Sequence, residues 1–244
     1  MKGSFSRFID RNALLIVAGS GLLSEILYLQ FFAQPAFVFR LYANPTNFGT
    51  MVGADKSAAF SQLGVFAVLS LLYLAAWRAA SSLKNKDGWL LVLGWGILFC
   101  LPFFLMYPYG ARDIFDYILR ARVFAIYGQN PFIQTASAFP ADPFLRYGWW
   151  TVFPSPYGPL WELTAGLGVK LAGDGVLANI FTFKLIAVIF FFATAGVIAF
   201  ALQRLAPERA LGGTLLFLWN PVLLFETVGN AHNDMSMLLW VAAS

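Results

Sequence analysis

Two aspartates, Asp113 and Asp116, lie in the stretch YPYGARDIFDYILRARVFAIYGQNPF at residues 107–132, with SPYGPLW following at 155–161. At helical spacing Asp113, Asp116, Tyr117 and Arg120 share one face, while Ile114, Phe115, Ile118 and Leu119 share another. Asp113 would open such a helix, where free amides and the positive dipole end favour an ionised carboxylate. An ionised carboxylate within reach of a hydroxyl can take its proton. The plainer reading is that Asp113 only caps the helix and Asp116 pairs with Arg112 or Arg120. Four arginines (Arg112, Arg120, Arg122 and Arg146) accompany the carboxylates. Guanidinium groups bind phosphate through two parallel hydrogen bonds, and simple contact with lipid headgroups is the alternative.

Three further places carry polar chemistry. Lys184 lies early in an apolar run and could neutralise a lipid phosphate or snorkel to the interface. Gly229-Asn230-Ala231-His232-Asn233-Asp234 is a polar segment between two apolar runs and holds the single histidine of the chain. His232, Asn233 and Asp234 are read as substrate contacts, with helix capping by Asn233 or Asp234 as the alternative. One His-x-Asp is too sparse for a metal centre, so none is assigned. The prolines at Asn130-Pro131, Pro154, Pro156-Tyr157-Gly158-Pro159 and Asn220-Pro221 mark rigid or broken backbone. At membrane depth, such backbone belongs where protein buries it or a wet cavity meets it.

These residues need a scaffold, and the composition says which kind. Of 244 residues 59% are hydrophobic and 11% charged, against roughly 25% charged in soluble domains. Mean hydropathy is +0.70. The chain reads as an all-α polytopic membrane protein. Its net charge of +4 is spread between apolar runs, which suits anionic lipid and argues against nucleic acid. Cys100 is alone, so a disulfide framework is excluded and a buried thiol is expected. No cleavable secretory signal is read at the N-terminus.

Spans are predicted at about 12–33, 58–77, 89–107, 178–202 and 211–228. Lys2, Arg7 and Arg11 place the N-terminus in the cytoplasm. Residues 34–57, with Pro35, Pro45 and Gly53, form an outer loop. Arg78, Lys84 and Lys86 mark an inner loop. Residues 108–158 then form a large outer loop whose amphipathic helix rests its apolar side on the lipid boundary. Residues 159–171 are short and carry Glu162 and Lys170. If they do not cross, Arg204 and Arg209 lie inside and the His232 segment joins Asp113 outside. Glu25 falls within the first span and is read either as functional or as snorkelling. The final apolar run, SMLLWVAAS, suggests that the 244 residues are a single transmembrane domain from a longer protein.

The order RDIFDYILRARVFAIYGQNPF, SPYGPLWELTAG, WNPVLLFETVGNAHNDM resembles the polyprenol-phosphate-mannose-dependent α-1,6-mannosyltransferases of bacterial lipoglycan assembly, members of the GT-C superfamily. The resemblance covers about 107–240. It implies a GT-C-like bundle, C-terminally truncated, with Asp113 as catalytic base and Arg112 and Tyr117 flanking it. Tyr157 and Gly158 would shape the cavity, and His232, Asn233 and Asp234 would form its second wall. At Lys184 the family pattern leads one to expect arginine. The expected donor is a polyprenyl-phosphate sugar, the acceptor a glycan or lipoglycan, and the place the outer face of the cytoplasmic membrane. Transfer of a hexose, mannose by resemblance, would invert the anomeric centre. A transporter or lipid flippase is the rival reading, since broken spans and an intramembrane carboxylate suit transport too. Against it, the polar residues gather at one interface and no repeat is visible. A non-catalytic assembly subunit is a third.

Overall fold

The computed structural model describes residues 11–44, 56–83 and 86–244. Lys2, Arg7 and Asp10, the loop positions Pro45 and Gly53, and Lys84 lie outside the described residues.

Hydropathy and length lead the fold. Helix α1 (Ala13–Tyr28) continues through a π-helical turn, Leu29–Ala33. After the short α2 (Val38–Leu41) come α3 (Lys56–Ala80) and α4 (Lys86–Leu105). Next are α5 (Asp113–Ala125), α6 (Pro159–Ala172) and α7 (Val176–Leu205). The chain then runs through α8 (Ala210–Leu218), α9 (Pro221–Leu223, extended by a π-helical turn Leu224–Gly229) and α10 (Asp234–Ala243). No strand occurs among the described residues, only an isolated bridge between Phe37 and Met106. The protein is an all-α polytopic bundle.

Four helical segments are long and apolar enough to cross a bilayer: Ala13–Ala33, Ala59–Ala80, Lys86–Leu105 and Val176–Leu205. A fifth, Pro207–Leu218 with Pro221–Gly229, is bent by 41°. The bend falls where Pro221 has no N–H to offer. There the Asn220 side chain accepts from the amides of Val222 (3.0 Å) and Leu223 (3.2 Å) and starts the helix afresh.

Helix α6 is shorter than the candidate spans around it. Its 14 residues span roughly 21 Å at 1.5 Å per residue, short of a bilayer core of about 30 Å. Only α7 and the bent α8–α9 pair, among the described residues, have crossing length between Asp113 and His232. Asp113 and His232 stand 3.5 Å apart, so both belong to one end of the bundle. Aromatic side chains from four segments (Tyr28 and Phe32, Phe66, Phe99 and Phe103, Phe225) interlock, mostly edge to face. The Tyr107 amide donates to Ala36 O at 2.6 Å, tying the end of α4 to the end of α1.

One expectation is corrected. Helix α5 does not rest its apolar face on lipid: Ile114, Phe115, Ile118 and Leu119 are 0–2% exposed, and Asp116, Arg120 and Arg122 are buried too. The segment 126–158 folds back over the helix and α6 closes its other flank. Tyr147 stacks on Phe115 at 5.2 Å. Arg122 Nε bonds Asp142 Oδ2 at 2.7 Å, and its Nη1 reaches Asp174 Oδ1 at 2.9 Å. Two-sided periodicity was legible; a protein cover instead of lipid was not.

Candidate active site

The first turn of α5 carries Asp113, and the loop after the bent span carries His232. Asp113 Oδ2 stands 3.5 Å from His232 Nε2, with both side chains partly open to solvent (37% and 24%). Half-burial alone would raise the Asp113 carboxyl. The imidazole of His232 outweighs that and holds it below the usual carboxylate range, with help from the Arg120 charge. Asp113 is therefore ionised at neutral pH and accessible.

One turn on, Tyr117 O–H donates to Asn233 Oδ1 at 3.3 Å. Tyr157 packs edge-on against Tyr117 at 5.1 Å, and the Arg120 guanidinium lies 5.7 Å from the Tyr157 ring. The Arg112 guanidinium lies 5.5 Å from the Trp149 ring. Arg112 and Arg120 each keep a buried Nε without a hydrogen-bond partner among the described residues. Asp113, Arg120, Trp150, Phe153, Ser155 and Tyr157 border a cavity of about 510 Å³. A neighbouring groove of about 490 Å³ shares Pro156 and Tyr157 with it. That groove runs between α6, α7 and α10 along Trp161, Phe190, Met237 and Trp240, with Asn233 and Asp234 at its polar end. A carboxylate, a cation and an apolar trough thus meet at Tyr157.

Other predicted residues stand elsewhere or do other work. Asp116 is buried and accepts from the amides of Trp149 (3.2 Å) and Trp150 (2.9 Å). Burial raises its carboxyl, which those amides and Arg120 partly offset; it anchors the covering loop and does not face the cavity. Lys184 does not snorkel: it is 0% exposed. Its ammonium donates to Phe103 O (2.8 Å), Val228 O (3.1 Å) and Gly229 O (2.5 Å). Asp234 is exposed at the start of α10, and neither it nor Asn233 makes a side-chain capping bond there. Arg122 is consumed by its two aspartates. Arg146 bonds the Tyr147 hydroxyl. Glu25 has one carboxylate oxygen buried without a partner among the described residues. Cys100 is buried, as expected.

Sequence reasoning passed over Glu226, Asn230 and Gly110. Glu226 Oε2 lies 3.5 Å from His232 Nδ1 and accepts from Asn230 Nδ2 at 3.0 Å. Asn230 Oδ1 accepts from the Gly110 amide at 3.0 Å. The four-residue spacing of Glu226 and Asn230 was the available signal. Gly110 packs so closely on Asn230 that a Cβ there would overlap its amide group. Gly110→Ala should cost roughly 1–3 kcal/mol by overpacking. A lowered denaturation midpoint in detergent would record that cost, and an unchanged midpoint would contradict the contact.

Among the described residues no three His, Cys, Asp or Glu side chains gather as metal ligands would. The family model described as "Alpha-(1->6)-mannopyranosyltransferase, N-terminal domain" matches residues 30–244. Alpha-(1->6)-mannopyranosyltransferase Rv1459c of Mycobacterium tuberculosis (strain ATCC 25618 / H37Rv) is 27% identical over 150 residues, covering 58% of this chain and 24% of that protein. Alpha-(1->6)-mannopyranosyltransferase A of the same organism is 24% identical over 152 residues, covering 58% and 27%. The aligned part of the chain therefore spans about a quarter of the length of these curated relatives. No solved structure matches.

Proposed function

The chain belongs to the alpha-(1->6)-mannopyranosyltransferase family, and on that premise we propose that it builds the donor and base side of an integral-membrane glycosyltransferase. The sugar is a hexose, mannose by family, carried on a polyprenyl phosphate, and the acceptor is a glycan or lipoglycan. The site faces the outer side of the cytoplasmic membrane, within residues 108–158 and the His232 segment.

The observation that carries this reading is the meeting of Asp113 with His232 at 3.5 Å beside a cavity that Arg120 and Tyr157 also border. An acceptor hydroxyl oxygen attacks the anomeric carbon as the bond from that carbon to the phosphate oxygen breaks. The acceptor proton passes to Asp113, and the electron pair of the broken bond leaves on the phosphate. Attack from the face opposite the leaving group inverts the centre, so one carboxylate suffices. A phosphate is a good leaving group that needs positive charge rather than an acid. Arg120 and Arg112 supply that charge where it develops. The apolar groove beyond Tyr157 takes the lipid chain, and the aromatic walls hold sugar faces.

The test uses labelled polyprenyl-phosphate mannose in proteoliposomes with a mannan acceptor. Label covalently attached to the acceptor supports the reading. Label that only crosses the bilayer assigns a transporter instead, and no movement of either kind leaves an assembly subunit. Within the enzyme reading, Arg120→Lys keeps a charge but loses the planar fork. It should raise the KM for the lipid-linked donor about tenfold, one hydrogen bond's worth at a charged acceptor. Steady-state kinetics with the donor varied would expose an unchanged KM, which would remove Arg120 from the phosphate site.

A further inference from the structure

The imidazole of His232 is held between two carboxylates on different elements. Asp113 faces its Nε2 and Glu226, in the last turn of the bent span, faces its Nδ1, each at 3.5 Å. The backbone amide of His232 also donates to Glu226 O at 3.2 Å, so the residue is pinned to Glu226 by main chain as well. Glu226 is itself oriented: fully buried Asn230 donates to the same Oε2 and accepts from the Gly110 amide. Gly110 lies three residues before Asp113, which closes a ring of contacts around the base.

A neutral imidazole has one N–H and one lone pair, so it can donate to only one of two flanking carboxylates. Its other nitrogen would then turn a lone pair on an anion. The imidazolium donates to both. We propose that Glu226 is a positioning residue that holds His232 as an imidazolium with Nε2–H turned to Asp113, keeping that carboxylate ionised and aimed into the cavity. The inference rests on reading Asp113 as the base. Glu226 itself touches no reacting atom.

Other charged and titratable groups stand around the pair. Arg120 of α5 acts on Asp113, Asp234 of α10 acts on His232, and Tyr117 reaches the segment through Asn233. Burial pulls His232 down. The close contact with Asp113 and the negative charges of Glu226, Asp113 and Asp234 outweigh that, leaving it above its ordinary value.

With one histidine in the chain, the ring can be read without assignment. The experiment labels histidine with ¹³C at Cε1 in the full chain, carries a histidine-free affinity tag, and titrates it in lipid nanodiscs by NMR. Glu226→Gln should lower the His232 midpoint by about one pH unit, the size of a close charge effect. Glu226→Asp should return it to within about half a unit. In transfer assays the alkaline limb of kcat should move down with the midpoint, while donor KM stays within twofold. An unmoved midpoint in Glu226→Gln overturns the proposal, as does a kcat lowered equally at every pH. Should Glu226→Gln not fold, a Glu226→Asp midpoint as low as that of free histidine overturns it too. The titration needs no substrate, so it decides the hold of Glu226 on His232 even where Asp113→Asn retains transfer and the base assignment fails.

Discussion

Asp113→Asn is expected to reduce kcat for mannosyl transfer by roughly 10²–10⁴-fold, the range lost with a positioned general base. The amide has nearly the shape of the carboxylate but cannot take up a proton at neutral pH. Donor KM should change only a fewfold, because Arg120, Tyr157 and the apolar groove are untouched. A capping role predicts a different result. It would cost about 1 kcal/mol of helix stability and leave turnover near normal. Comparing kcat, donor KM and the unfolding midpoint in one variant separates the two, and transfer at the wild-type rate would end the assignment of Asp113.

Lys184→Met should produce the largest loss of stability of any single change considered. The ammonium sits at the C-terminal ends of two helical segments, α4 through Phe103 O and the π-helical turn through Val228 O and Gly229 O. Its N–H groups satisfy carbonyls left free at both helix ends. Methionine fits the volume but donates nothing, and three buried carbonyls lose their partner. At roughly 1–3 kcal/mol for each unsatisfied group, a loss of about 3 kcal/mol or more is expected. It would appear as a markedly lower denaturation midpoint in detergent. Gly229 leads into the His232 segment, so the same variant should also lose transfer activity at temperatures where it is still folded. A variant as stable as the parent would show that water or repacking replaces the ammonium.

The spans were legible because they depend on local quantities, length and apolarity. Four single helices and the Asn220-Pro221 break fall within a few residues of their expected places. The meeting of Asp113 with His232 was legible from charge placement and from reading residues 159–171 as not crossing. What failed depended on partners far away in sequence. Helix α5 showed two faces, and a bilayer was the natural cover for the apolar one; Tyr147 of the folded-back segment stacks on Phe115 there instead. Lys184 near a span end reads as snorkelling until two other elements are seen to aim carbonyls at it. Asp116 shares a helix face with Asp113 in the sequence, and only the folded-back loop reveals it as a buried anchor. Glu226 and Asn230 gave an i, i+4 pattern, but an apolar run concealed its use.

The site is divided along the chain, and that has a temporal consequence. Tyr117 and its partner Asn233 are 116 residues apart, with a complete helical hairpin between them. At synthesis rates of about 5–20 residues per second, the second wall follows the first by roughly 6 to 23 s. During that interval a nascent chain holds Asp113 without the histidine that steadies it. The pairing of Asp113 with His232 therefore forms only when the later hairpin docks.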